Sequence, residues 1–152
     1  MPSGGTKKQS LRPAVSRILV ATDFSAQAEV ALQWALHLAD GFGAKLVLLH
    51  VLDVTVLSTS GFTLVGPSPV PPLLTEGKRD MQRWRKLAPD AEVVIRRGSP
   101  RPIIVESALR LRCQLIVMGT HGRSGLAHLL MGSVAEYVVR CSWVPVLTVR
   151  KH

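Results

Sequence analysis

The chain has 152 residues, 47% of them apolar and 19% charged, the make-up of one globular domain with a core rather than a disordered or collagen-like chain. Nineteen Lys and Arg against ten Asp and Glu leave a net charge of +9, which favours anionic partners without choosing among nucleotides, nucleic acid and acidic surfaces. No apolar run approaches the roughly 18 residues of a membrane span, and two cysteines are too few for a disulfide framework.

Residues 1–16 are rich in Ser, Gly, Lys and Pro. They read as a flexible tail, and without an apolar stretch they are not a secretory signal. The expected setting is therefore the cytoplasm, with reduced thiols. Arg17–Thr22 (RILVAT) is a short apolar run of the kind that forms a buried parallel strand. Asp23, Phe24 and Ser25 make a turn into a helix, with Ser25 as a good N-cap. Ala28, Ala31, Leu32, Ala35, Leu38, Ala39 and Phe42 recur at helical spacing, and Gly41 and Gly43 end the helix. Lys45–Val51 (KLVLLHV) is a second strand. Residues 53–72, with four prolines, read as a long loop or lid. Leu74, Gly77, Met81, Trp84 and Leu87 give a weaker helical pattern, and Glu92–Arg96 is a third strand. Ser99-Pro100-Arg101-Pro102 opens a helix whose core face is Ile103, Ile104, Ala108 and Leu111. Gln114–Met118 is a fourth strand, a glycine-rich segment covers Gly119–Gly132, a helix covers Ser133–Cys141, and Val144–Val149 is the last strand.

This alternation predicts an α/β domain over residues 17–150, a single doubly wound five-stranded parallel sheet of order 3-2-1-4-5 with helices on both faces. Ligands of such sheets bind beyond the carboxyl ends of the strands, where the strand order reverses. The loops that meet there are Thr22–Ser25 and Gly119–Ser133. The second reads GTHGRSGLAHLLMGS, with glycines spaced G-x2-G-x9-G-S at Gly119, Gly122, Gly132 and Ser133. Glycines let a backbone approach a ligand closely, and the helix starting near Ser133 adds unpaired N–H groups and the positive end of its dipole. The spacing suits a phosphate site; a glycine-rich turn serving close packing is the alternative. Neither a Walker P-loop nor a G-x-G-x-x-G fingerprint occurs.

ILVATDFS, LVLLHV and LIVMGTHGRSGLAHLLMGSVAEYVV with PVLTV resemble the universal stress protein family over nearly all of residues 17–150. The resemblance implies the fold of the adenine-nucleotide alpha-hydrolases. It implies ATP held at Gly119, Gly122, Gly132 and Ser133, with Met118 and Val134 beside them. Asp23 would contact the nucleoside, Val51 the adenine, and Ala21 the same pocket. Mg2+ or Mn2+ would be held mainly by the phosphates. It further implies a homodimer paired through Val146–Val149. Gln114 departs from the Asp frequent in the family, at a position expected to lie away from the pocket.

Other residues carry readings of their own. Arg123 suits a charge clamp on phosphates, or a solvent-facing loop. His121 is the one candidate base for a slow hydrolase; no catalytic residue is assigned, and no metal-ligand spacing occurs. Asp23 suits a helix cap as well as a ligand. His50 reads as a packed core histidine and Cys113 and Cys141 as small buried residues, while Trp34, Trp84 and Trp143 read as core or dimer surface. The basic groups Arg79, Arg83 and Lys86, and Arg96, Arg97 and Arg101, lack the interleaved aromatics of a single-strand platform, so nucleic acid is not the expected partner. The favoured function is a nucleotide-dependent regulatory switch read by a protein partner. A hydrolase and a basic scaffold or nucleic-acid binder are the rival classes.

Overall fold

The structure, a computed structural model, describes residues 14–54, 70–121 and 131–150. In chain order it runs β1 (Arg17–Thr22), α1 (Ala26–Phe42), β2 (Lys45–Leu52), α2 (Val70–Leu87), β3 (Glu92–Arg97), α3 (Pro100–Arg110), β4 (Leu115–Gly119), α4 (Ser133–Cys141) and β5 (Val146–Val149). The sheet has the order β3-β2-β1-β4-β5, and every neighbouring pair is parallel.

Parallel strands covered on both faces need apolar side chains at successive positions, and β1 supplies them. Ile18 and Val20 belong to one buried cluster with α1 and α2. Leu19 and Ala21 belong to the other, with α3 and α4. The alternation of the strand thus feeds two cores on opposite faces of one sheet.

Ser25 caps α1, its hydroxyl accepting the Ala28 N–H at 3.2 Å, and Gly43 closes it in the left-handed conformation at φ 64°. A residue without a Cβ adopts that turn without strain. α2 begins at Val70, inside the stretch expected to be loop. Pro71 and Pro72 fall in its first turn, where a backbone N–H has no intrahelical partner and proline does no harm. Residues 55–69 of that stretch, and residues 1–13 of the expected tail, lie outside the described residues. The end of the tail is attached: Val15 packs against the core, and Ser16 donates from its N–H and its hydroxyl to Gln114 Oε1, each at 3.0 Å.

Gln114 also accepts the Arg17 N–H at 2.9 Å and donates to the Arg112 carbonyl at 2.7 Å. These contacts lie at the amino end of the sheet. Arg17 there pairs with Glu92, which raises the guanidinium above its ordinary value.

Candidate functional site

At the carboxyl end of the sheet, β1 and β4 lie side by side while their following chains diverge to opposite faces. Divergence opens a crevice that no crossover can fill. A cleft of about 180 Å3 occupies it. Its floor comes from the strand ends (Ala21, Leu49, Val51 and Met118), one wall from the start of α3 (Pro100 and Ile104), and the rim from Thr22, Asp23, Gly119, Thr120, His121 and Gly132–Ala135.

The β1–α1 turn forms one side. Phe24 has φ 64°, a left-handed conformation unusual for a side chain of its size. The Thr22 hydroxyl holds its N–H at 2.9 Å, and its ring packs on His50 at 4.4 Å and edge-on to Trp84 at 5.7 Å. Asp23 Oδ1 accepts the Ser25 N–H at 3.0 Å, so this carboxylate braces the turn while lining the cleft. His50 is half-buried and its Nδ1 donates to the Thr22 carbonyl at 2.8 Å. The expected core histidine is thus also a tie between β2 and the turn.

The start of α4 forms the opposite side. Gly132 occupies its N-cap with φ −72° and ψ 156°, and no side chain caps the helix. The N–H groups of Ser133, Val134 and Ala135 therefore have no intrahelical partner, and they stand at the positive end of the helix dipole. The Gly132 N–H is engaged, donating to the Thr120 carbonyl at 2.7 Å.

Gln27 ties β4 to α1. Its Oε1 accepts the Thr120 hydroxyl at 3.1 Å and the His121 N–H at 3.0 Å, while His121 Nδ1 stands 3.0 Å from Thr120 Oγ1. Gly119 sits where an added Cβ would meet Gln27 Cβ at 3.1 Å and Ala28 N at 3.3 Å. At Gly119 the packing explanation fits, because α1 passes so close that a Cβ would press on its backbone.

The cleft thus gathers Ala21, Asp23, Val51, Met118, Gly119, Gly132, Ser133 and Val134, with His121 beside them. Gly122 and Arg123 lie outside the described residues. Sequence reasoning missed Leu49, Pro100, Ile104, Thr120 and the support from Gln27. Pro100 and Ile104 carry the signal of a helix start and a core face, and nothing local says that this face looks into a crevice. One other reading is corrected, that of Cys141. Cys113 is buried, but Cys141 is exposed on the last turn of α4, whose inward positions are Ala135 and Val138. Trp84 is core, whereas Trp34 and Trp143 are exposed.

The profile of the universal stress protein family matches residues 14–150. The chain belongs to the universal stress protein family. Universal stress protein MJ0531 of Methanocaldococcus jannaschii is 33% identical over 143 residues, spanning 89% of this chain and 82% of that one. YxiE of Bacillus subtilis is 33% identical over 146 residues, spanning 89% and 99%. The solved structure of MJ0577, also from M. jannaschii, superposes with a TM-score of 0.82 at 31% identity, covering 92% of this chain and 99% of that one. A universal stress protein solved in complex with cAMP gives a TM-score of 0.60 at 29% identity, covering 90% and 98%. Among the described residues of this family member, no helix is long and apolar enough to cross a membrane.

Proposed function

We propose that this chain binds ATP in the β1/β4 cleft and acts as a nucleotide-dependent regulatory switch in the cytoplasm. The observation that carries the reading is the uncapped start of α4, three N–H groups facing a cleft whose floor is apolar. Such an end is a ready anion site. Ala21, Leu49, Val51, Ile104 and Met118 suit a planar base, and the Asp23 carboxylate suits a ribose hydroxyl. Ser133 and Val134 take phosphate oxygens through their amides. Gly132 acts by its place at the cap, since Thr120 uses its N–H, and Gly122 and Arg123 are further proposed phosphate contacts. The family member in complex with cAMP supports an adenine nucleotide. Mg2+ or Mn2+ would be held mainly by the phosphates.

The switch is a population shift. ATP binds one arrangement of the 53–72 segment, or of a homodimer, more tightly than the other, and a protein partner reads the result. Equal hydrogen-exchange protection of that segment with and without ATP would count against it.

The deciding experiment is calorimetric titration of ATP into the purified protein and into Ser133→Asp. A carboxylate at the first position of α4 stabilises the helix by about 0.3–1 kcal/mol through the dipole, yet it occupies the amides that phosphates need. The expected result is a raised melting temperature together with at least roughly ten-fold weaker ATP binding. Unchanged affinity removes the α4 amides from the site.

A further inference from the structure

α2 and β3 carry seven Lys and Arg against three carboxylates, a net +4 of the chain's +9. On α2, Gly77, Met81 and Trp84 face the core. Next to that face stand Lys78, Gln82 and Arg85, and beyond them Arg79 and Lys86, all exposed. The other flank carries Leu73, Glu76, Asp80 and Leu87. The α2 crossover from β2 to β3 is right-handed, as parallel connections are, and a right-handed helix in that position turns its Lys78 flank outward past β3. The edge contact of Trp84 with Phe24 agrees, fixing the opposite flank toward α1.

β3 is the edge strand there. Arg97 shares the α2 face of the sheet with Ile95, and Arg96 shares the other face with Val94. Both arginines are exposed. The basic groups of two consecutive elements thus lie along one edge. Among the described residues, the ion pair drawn from α2 is Arg83–Asp80 at 3.6 Å; Lys78, Arg79, Arg85, Lys86, Arg96 and Arg97 have no carboxylate within ion-pair distance.

We propose that this α2–β3 edge docks the sugar–phosphate backbone of duplex nucleic acid. Charged residues on an edge strand discourage strand pairing, which accounts for Arg96 and Arg97 but not for the four cations on the helix. The cations from 78 to 86 extend over about 12 Å of helix axis, in the range of several phosphates on a duplex that carries one charge per roughly 1.7 Å. No exposed aromatic stands among them, so unpaired bases have nothing to stack on. The apolar side of α2 is committed to the core and cannot enter a bilayer. The contact reads charge and spacing rather than sequence.

The test is fluorescence anisotropy with a labelled duplex of about 20 base pairs and arbitrary sequence, between about 50 and 200 mM KCl. It uses the full chain, a K78E/R79E/K86E variant and a control of equal charge change, K45E/R140E/R150E. Binding should weaken steeply with salt, with a log–log slope near about −4. The edge variant should lose at least roughly ten-fold in affinity and about three from the slope, and the control should lose less than about three-fold. Retained ATP binding and melting temperature in both variants show that the fold is intact. Equal losses in the two variants, or no duplex binding at the lowest salt, overturn the proposal. So does edge-dependent binding to phosphatidylserine vesicles without duplex binding, which would assign the surface to lipid.

Discussion

Gly119 ends β4 beneath α1, and a methyl group added there would lie 3.3 Å from the Ala28 amide nitrogen and 3.1 Å from Gln27 Cβ. Helix backbone cannot move aside as a flexible side chain can. Gly119→Ala should therefore destabilise the fold by about 1–3 kcal/mol, the range for overpacking, seen as a lower urea midpoint with an unchanged slope. The cysteines make a second contrast at this scale. Burial pushes the Cys113 thiol above its ordinary 9.0, and the Arg17 guanidinium pulls it only part of the way back. A thiol that resists ionisation in the folded state lends stability that is complete below the unfolded value and is lost as pH climbs toward the folded one. Between about pH 8 and 10 the stability of the native chain should fall more steeply than that of Cys113→Ala, measured by urea unfolding. An aromatic disulfide reagent should label Cys141 at once and Cys113 only on unfolding.

Elements meet at the cleft through few ties, and Gln27 is the principal one between α1 and β4. Its single carbonyl oxygen accepts from both Thr120 and His121. Gln27→Ala removes the acceptor that the Thr120 hydroxyl and the His121 N–H share, at a cost of about 1–3 kcal/mol. Thermal unfolding should register that loss, and exchange at the His121 amide should quicken. The sequence marked all nine elements of the described residues through period and punctuation, and their ends shifted by only a few residues. It misjudged the start of α2 because prolines signal both a loop and a first helical turn; whether the turn continues depends on packing against β2 and β3. It could not see Gln27, since a glutamine on a helix carries no sign of what it reaches across 93 residues of chain.

At the scale of the whole molecule, β5 is the last strand of the sheet among the described residues. Beside it Trp143 is 82% exposed, and on α1 Trp34 and Phe42 are 52% and 53% exposed. Gln27 and Trp34 lie on one side of α1, and Gln27 points to β4, so Trp34 looks toward the β5 edge. Large apolar groups beside an open edge favour self-association. We propose that a homodimer forms through Val146–Val149 and this flank. Sedimentation should give a concentration-dependent dimer for the native chain, and at least roughly ten-fold weaker association for W34E/W143E. A monomer throughout would remove the dimer from the switch.

Strand and helix identity, the parallel sheet and the meeting of two particular loops were fixed by the sequence alone, because hydrophobic period and chain connectivity are local facts with few global solutions. Only the tertiary structure decided which glycine serves packing, which amides already have partners, which cysteine is open, and how separate basic stretches join at one edge. Those outcomes depend on distances between atoms remote in sequence, and no pattern along the chain encodes such distances.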